Sequence, residues 1–326
     1  MTIRRRTFAG FAGAMLIGNN VSAQAAFPQR PVTITVPVGP GGGTDLLARQ
    51  LGKSLSEIWG QPVVVDNKTG AAGIIGAQAV IKTPGDGHSL LLSHDGVFIA
   101  TPVLFKRPDF EPQKQLAPIS QVATQPYAAV VHPSVPAKNL PELIALMKRR
   151  NAEGAKLGFA TSALGSADHL TGEKFAIASG VQMLVVPYKS TQPAITDVVG
   201  GHLPWGFFSF AAALPLVKSG ALRALAISAE RRSDLLPGVP TVSETLPGFV
   251  STAWFGVWAP AGTPMEVRER IARDIRTAVG SADMATLMAS NGLSPALSTP
   301  AEFADFIRRE ATRTADVIAR ANIKVE

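Results

Sequence analysis

The 326-residue chain contains no cysteine. That absence excludes disulfides, thiolate metal sites and a cysteine nucleophile, so stability has to come from the core alone. Aromatic residues are scarce, with two tyrosines and four tryptophans. Trp205, Phe207, Phe208, Trp254 and Trp258 are expected in the core, with Trp205 or Phe208 as candidates to line a cleft. The five histidines (88, 94, 132, 169 and 202) show no His-x-x-x-His pair and no ligand spacing with carboxylates, so no structural metal and no cofactor is expected. There is no Gly-x-Ser-x-Gly elbow and no Ser-x-x-Lys, which argues against a serine hydrolase. No segment beyond the N-terminus holds about 18 uninterrupted apolar residues, so the mature chain is expected to be soluble. Tandem repeats and low-complexity tracts are also missing.

What is present begins with an export signal over residues 1–25. Arg4-Arg5-Arg6 give a positive start, Phe8 to Ile17 a short apolar run, and Val21-Ser-Ala23 or Ala23-Gln-Ala25 a small-residue cleavage site. Arg5-Arg6-Thr-Phe8 also fits a twin-arginine signal, although Ala9 departs from the bulkier residue usual there. Removing the signal leaves 28 basic and 24 acidic residues, a net charge of +4. The remaining basic clusters (Lys148-Arg-Arg150, Arg231-Arg232, Arg308-Arg309) are short and scattered, which reads as solvated helix faces and not as a nucleic-acid surface. A mildly positive surface favours encounter with anionic solutes.

Strands and helices alternate along the chain. Strands are predicted from Val32, at Pro62–Asp66, His88–Ser93 and Pro126–His132, with helices opening at Thr44 or Asp45, at Ala71 and at about Leu140. The alternation restarts with strands Leu157–Ala160, Met183–Pro187 and Leu222–Ser228 and helices Ser166–Ser179 and Pro193–Val199. Continuous apolar strands between helices indicate a parallel sheet covered on both faces. Two such series in about 300 mature residues suggest two lobes with a cleft between them. Thr263-Pro-Met-Glu266 and Thr299-Pro-Ala-Glu302 read as capping boxes that start two C-terminal amphipathic helices.

Three strand-to-helix turns carry the chemistry. Gly39-Pro-Gly-Gly-Gly-Thr44-Asp45 removes Cβ atoms where the helix start leaves unpaired N–H groups, an anion-binding arrangement in outline. It lacks a Walker Lys-Ser/Thr and puts Thr44 where a dinucleotide fingerprint has its last glycine, so a carboxylate or other small anion is expected. Gly70-Ala-Ala-Gly73-Ile-Ile-Gly76 assigns Gly76 to close packing, and Gly70 and Gly73 to backbone approach by a ligand. In Thr161-Ser-Ala-Leu-Gly165-Ser-Ala-Asp-His169, Ser166 reads as an N-cap whose turn could also serve a ligand. Asp168 and His169 diverge by about 100° on a helix and cannot jointly face Ser166 as a triad.

Taken together these segments resemble the Bug (Bordetella uptake gene) family, the substrate-binding proteins of tripartite tricarboxylate transporters. The resemblance rests on Val36-Pro-Val-Gly-Pro-Gly-Gly-Gly-Thr-Asp45 with Ala48-Arg49, Asp66-Asn-Lys-Thr-Gly-Ala-Ala-Gly73 and Asp86-Gly-His-Ser-Leu-Leu. Gly165-Ser-Ala-Asp-His-Leu170, Val186-Pro-Tyr-Lys189 and Trp254-Phe-Gly-Val-Trp-Ala-Pro-Ala-Gly-Thr-Pro264 extend it over the mature chain. It implies a bilobal α/β periplasmic binding protein of the second type with two crossover strands. Lobe 1 would span about 26–125 plus 251–326 and lobe 2 about 126–250. The resemblance also implies ligand contacts at Gly41, Gly42, Thr44, Asp45, Ala71 and Ala72, and across the cleft at Ser162, Gly165, Ser166 and His169. A monomer capturing a small carboxylate for membrane permease subunits follows from it. Ala163 and Ser190 depart from positions where glycine is common. Pro204 and Phe208 stand near places where many relatives carry Asp, which weighs against an amino-acid ligand. A ligand-sensing partner of a signalling receptor, or an exported hydrolase, stays open as an alternative.

Overall fold

The computed structural model of the protein describes residues 27–41, 43–105 and 109–323. The expected export signal over 1–25 and the candidate Gly42 lie outside the described residues. The first series of elements is β1 (Val32–Val36), α1 (Gly43–Trp59), β2 (Val63–Asn67), α2 (Ile74–Ile81), β3 (Ser89–His94), α3 (Thr101–Phe105) and α4 (Pro112–Gln115). A long strand β4 (Leu116–Val131) leads to α5 (Leu140–Ala152), β5 (Leu157–Thr161), α6 (Ala167–Ser179), β6 (Met183–Pro187), α7 (Thr191–Val199), β7 (Trp205–Ser209), α8 (Phe210–Lys218) and β8 (Arg223–Ile227). The chain ends through β9 (Thr252–Pro260), α9 (Met265–Val279), α10 (Ala282–Ser290), β10 (Ser294–Pro295) and α11 (Pro300–Arg320).

One curled, mixed sheet runs β2-β1-β3-β9-β4-β7-β5-β6, with β8 and β10 also on β4. Each end is a parallel triplet. Ile34 lies opposite Val65 and Leu90 in one, and Phe159 opposite Val185 and Trp205 in the other. β-Branched residues at 32, 34 and 36 suit β1, and all three are buried under α1, whose Leu47, Ala48, Leu51 and Leu55 share one helix face. Leu91, Trp254, Trp258 and Phe303 form a separate core with α2 and α11, and Phe208, Phe210 and Ile227 a third.

The expected parallel sheet holds for the triplets and fails between them. β3–β9, β9–β4 and β4–β7 are all antiparallel. The strand expected at Pro126–His132 begins ten residues earlier, at Leu116. Pro118 and Pro126 disguise it, because proline removes a ladder donor and ordinarily argues against a central strand. The ladder absorbs Pro118 beside a register shift. Residues 116–126 of β4 pair with β9, and residues 127–131 pair with β7 and β8. The chain passes between the two halves a second time from β8 to β9, where the Ser251 N–H donates to the Ser228 carbonyl at 3.0 Å and the Tyr127 N–H to Ser228 Oγ at 2.8 Å.

Two helix starts differ from the sequence reading. The helix expected from Ala71 opens at Ile74, because Gly70, Ala71, Ala72 and Gly73 all take positive φ (126°, 47°, 52° and 90°). The Thr299–Glu302 capping box forms, but the one at Thr263 does not. Pro264 is itself the residue flanking α9, and Thr263 Oγ1 is buried without a partner.

Candidate functional site

The glycine turn after β1 is held from behind by a carboxylate. Asp45, in the first turn of α1, is 2% exposed. Its Oδ2 accepts the Gly41 N–H and Arg49 Nε, each at 2.9 Å, and its Oδ1 accepts Asn67 Nδ2 at 2.9 Å. Arg49 also donates to Asn67 Oδ1, tying α1 to the end of β2. Burial pushes the Asp45 carboxyl up, and the bonds from Arg49, Gly41 and Asn67 outweigh it and hold the group below its ordinary value. Asp45 and the Gly41 N–H are therefore committed to shaping the turn. In front of it, a Cβ added at Gly39, Gly41 or Gly43 would meet nothing within 4 Å. Internal packing does not demand glycine at 39 or 43, which leaves the space before the N-terminus of α1 open. Thr44 is buried at that start.

The second turn brings Ala71 and Ala72 to the surface in left-handed backbone. Such conformations cost of order 1–3 kcal/mol for a residue with a Cβ and concentrate at functional sites. Gly76 is where packing is tight. A Cβ there would lie 2.7 Å from the Lys68 carbonyl oxygen and 2.9 Å from Pro37 Cα, the close approach expected of it.

The turn after β5 repeats the device of the first. Asp168, in the first turn of α6 and buried, accepts the Ser162 N–H at 2.6 Å, Ser162 Oγ at 2.7 Å and Thr161 Oγ1 at 3.0 Å. Ser166 caps α6 by accepting the His169 N–H, and donates its hydroxyl to the Ala163 carbonyl at 2.6 Å. His169 is 2% exposed; its Nδ1 accepts the Gly165 N–H at 2.9 Å, and Nε2 lies 3.5 Å from Glu173 Oε1. Its ring thus supports the turn from inside. The Ser166 hydroxyl and the His169 ring are bound to backbone, and no proton relay joins them.

Gly41, Thr44 and Asp45 are thus brought together, as are Ser162, Gly165, Ser166 and His169. Among the described residues no hydrogen bond joins the two groups. The segment that follows β3 connects them. Thr101 Oγ1 donates to the Ala72 carbonyl at 3.4 Å, and Leu104 presses on Gly165, where a Cβ would come within 2.1 Å of Leu104 Cδ1. Ala100 and Leu104 continue into an apolar cluster with Leu170, Val317 and Ile318. Trp205 and Phe208 are fully buried and line no cleft.

Sequence reasoning missed Arg49 and Asn67 as supports, although the Asp45-x-x-x-Arg49 spacing is an i,i+4 ion-pair signal. It also missed Asp95 and Tyr127, which line a cavity between the segment after β3 and α6. For Asp95 the signal was positional, since ligands of α/β sheets collect beyond the carboxyl ends of strands, whereas Tyr127 lies within β4 and carried no such signal. No group of three or more His, Cys, Asp or Glu residues able to hold a metal occurs among the described residues, and no described helix is long and apolar enough to cross a membrane.

Residues 47–323 match the family described as "Tripartite tricarboxylate transporter family receptor". The chain is 37% identical to Protein BugT of Bordetella pertussis over 302 residues, covering 92% of each. The solved structure of periplasmic binding protein BugD is similar at 30% identity with a TM-score of 0.77, covering 92% of this chain and 100% of BugD. R. palustris Rpa4515, solved with adipate, is 31% identical with a TM-score of 0.80, covering 92% of this chain and 99% of that one.

Proposed function

The chain belongs to the tripartite tricarboxylate transporter receptor family, and from that premise we propose that it is an exported, monomeric periplasmic protein that captures a small carboxylate by lobe closure. Lobe 1 is about 26–125 plus 251–326, lobe 2 about 126–250, and the closed form delivers its ligand to membrane permease subunits. The observation that carries this reading is the repeated turn. In both halves a buried aspartate of the helix's first turn organises the preceding loop, as Asp45 does with Gly41 and Asp168 with Ser162. The backbone is thereby fixed before any ligand arrives, which lowers the ordering cost of binding.

The ligand carboxylate takes the remaining N–H groups at the starts of α1 and α6 and at the Ala71–Ala72 turn, together with the Thr44 hydroxyl, while the Ser162 and Ser166 hydroxyls, which donate to Asp168 and to the Ala163 carbonyl, hold the second turn in shape. Charge-assisted hydrogen bonds contribute about 1.5–3 kcal/mol each, so a few of them reach the roughly −8 kcal/mol of micromolar affinity after ordering costs. Likeness to the R. palustris protein solved with adipate supports a carboxylate as the ligand class. Engagement of the Ser166 hydroxyl and His169 Nδ1 with backbone supports a binding role over hydrolysis.

A thermal-shift screen of paired carboxylates and neutral sugars tests this. At least one carboxylate is expected to raise the melting temperature by several degrees at millimolar concentration, through binding to the folded state alone. Stabilisation by a neutral sugar and by no carboxylate would overturn the reading.

A further inference from the structure

The segment after β3, residues 96–105, touches both candidate half-sites through three side chains. Val97 packs on Gly73, where an added Cβ would lie 2.5 Å from Val97 Cγ2. Thr101 Oγ1 donates to the Ala72 carbonyl at 3.4 Å. Leu104 reaches the other half and covers Gly165, where a Cβ would come within 2.1 Å of Leu104 Cδ1. Any side chain at 165 would therefore push Leu104 out of its place.

Gly165 is poorly placed to serve a ligand. It is buried, and its N–H already donates to His169 Nδ1 at 2.9 Å, so its one donor is spent. Its φ of 76° suits glycine, and the missing Cβ leaves an apolar seat that Leu104 fills. Around that seat Ala100 and Leu104 join Leu170 and Ile177 of α6 with Val317 and Ile318 of α11 in one cluster. The second half is thus gripped by two elements of the first, the 96–105 segment and α11. None of these side chains carries a polar group, so the grip acts without competing for a carboxylate.

Resting on the reading of two lobes that close on a carboxylate, we propose that Leu104 is a closure residue, docked in the seat of Gly165 only when the lobes meet, and that Gly165 serves this contact and not the ligand. Val97 and Thr101 fix the segment to the first-lobe turn at Ala72–Gly73, whereas Gly165 belongs to the second-lobe turn. Parting the two turns must therefore lift Leu104 off its seat and return apolar surface to water. Burial of that surface favours the closed form before any ligand arrives. A ligand that orders the Ala71–Ala72 backbone also fixes the base on which Leu104 stands, and so shifts the population further toward closure.

Spin labels test this in the full mature protein without ligand. The chain has no cysteine, so Thr69→Cys with Ser190→Cys gives one label pair, at exposed sites beyond the carboxyl ends of β2 and β6, the two ends of the sheet. Pulsed dipolar spectroscopy is expected to show a shorter-distance, closed population. Leu104→Ala is expected to lower its ratio to the open population about tenfold, the scale of losing part of one leucine's burial. Leu104→Met, close in volume, should keep it. Gly165→Ala should deplete the closed population when Leu104 is present and far less beside Leu104→Ala, because the clash has gone. Circular dichroism verifies each fold. Coinciding distributions for wild type and folded Leu104→Ala overturn the proposal, as does equal depletion by Gly165→Ala in both backgrounds. If Leu104→Ala fails to fold, Gly165→Ala alone decides, and an unchanged distribution overturns the seat. Stabilisation by a neutral sugar and by no carboxylate would remove the carboxylate reading, while these ligand-free distances still decide the role of Leu104.

Discussion

Asp45 and Asp168 show how a carboxylate can shape the turn at a helix start, and so the proposed anion site, from behind. Each lies in the first turn of its helix, where negative charge is favoured by the helix dipole, and each folds a neighbouring loop N–H inward. Asp45 has the added support of Arg49 and Asn67. Its folded pKa lies below the unfolded one, so its stabilising share is present above the ordinary carboxylate range and is lost as pH falls through the folded value. Asp45→Asn is expected to cost about 1–3 kcal/mol at pH 7. In urea denaturation the gap between variant and wild type should narrow toward pH 3; a gap unchanged with pH would mean the charge is irrelevant.

At the level of elements, the helix starts separate a motif from its use. Thr299 and Thr263 sit in the same sequence pattern, yet only Thr299 closes its box with Glu302. The Thr263 N–H donates to the Pro260 carbonyl at the end of β9, and its own carbonyl accepts Arg268 Nε at 3.1 Å. These bonds hold Thr263 in the turn and place α9 one residue later. Its hydroxyl is left buried and unpartnered, so Thr263→Val, of nearly equal shape, is expected to be neutral or to stabilise by up to about 1 kcal/mol. A loss above 1 kcal/mol in chemical denaturation would reveal a hydroxyl partner. The Ala71–Ala72 turn is the opposite case. The sequence is good helix material in its alanines, and the paired glycines at 70 and 73 set the backbone instead.

Across the whole molecule, the two halves are joined by shared strands. β4 serves both, and Tyr127 stands at the point where its partners change from β9 to β7 and β8. The other tyrosine, Tyr188, bonds Asp197 through its hydroxyl and the Thr161 carbonyl through its N–H, beside the second-half turn. Burial and then Asp197 push its phenol up to about 12, and Tyr127 is raised as well. Between about pH 10 and 12 the folded chain therefore keeps protons that the unfolded chain has released, and stability falls as pH rises through that window. Tyrosinate absorbance of the native protein is expected to stay near zero at pH 10.5 and to rise together with unfolding. Half-ionisation near pH 10 in a still-folded protein would contradict the buried environments.

Much of this was legible in local chemistry. Glycine, N-cap and β-branched signals mark the turns, the parallel triplets and the residues of both candidate half-sites, because each depends on neighbours within a few positions. The antiparallel centre was not legible. Pairing of β4 with β9 joins residues more than a hundred positions apart, and the prolines of β4 argue locally for a break. Which side chains turn inward was equally hidden: His169 and Asp45 are buried and bonded to their own turns, and Asp95 lies outside every motif. The sequence by itself determined that this is a cysteine-free α/β chain with two glycine- and serine-rich helix starts. Tertiary structure alone decided that Asp95, delivered by β3, shares a cavity with Tyr127 of β4 and keeps a buried oxygen without a hydrogen bond, because burial and distance arise only when separate strands are brought together.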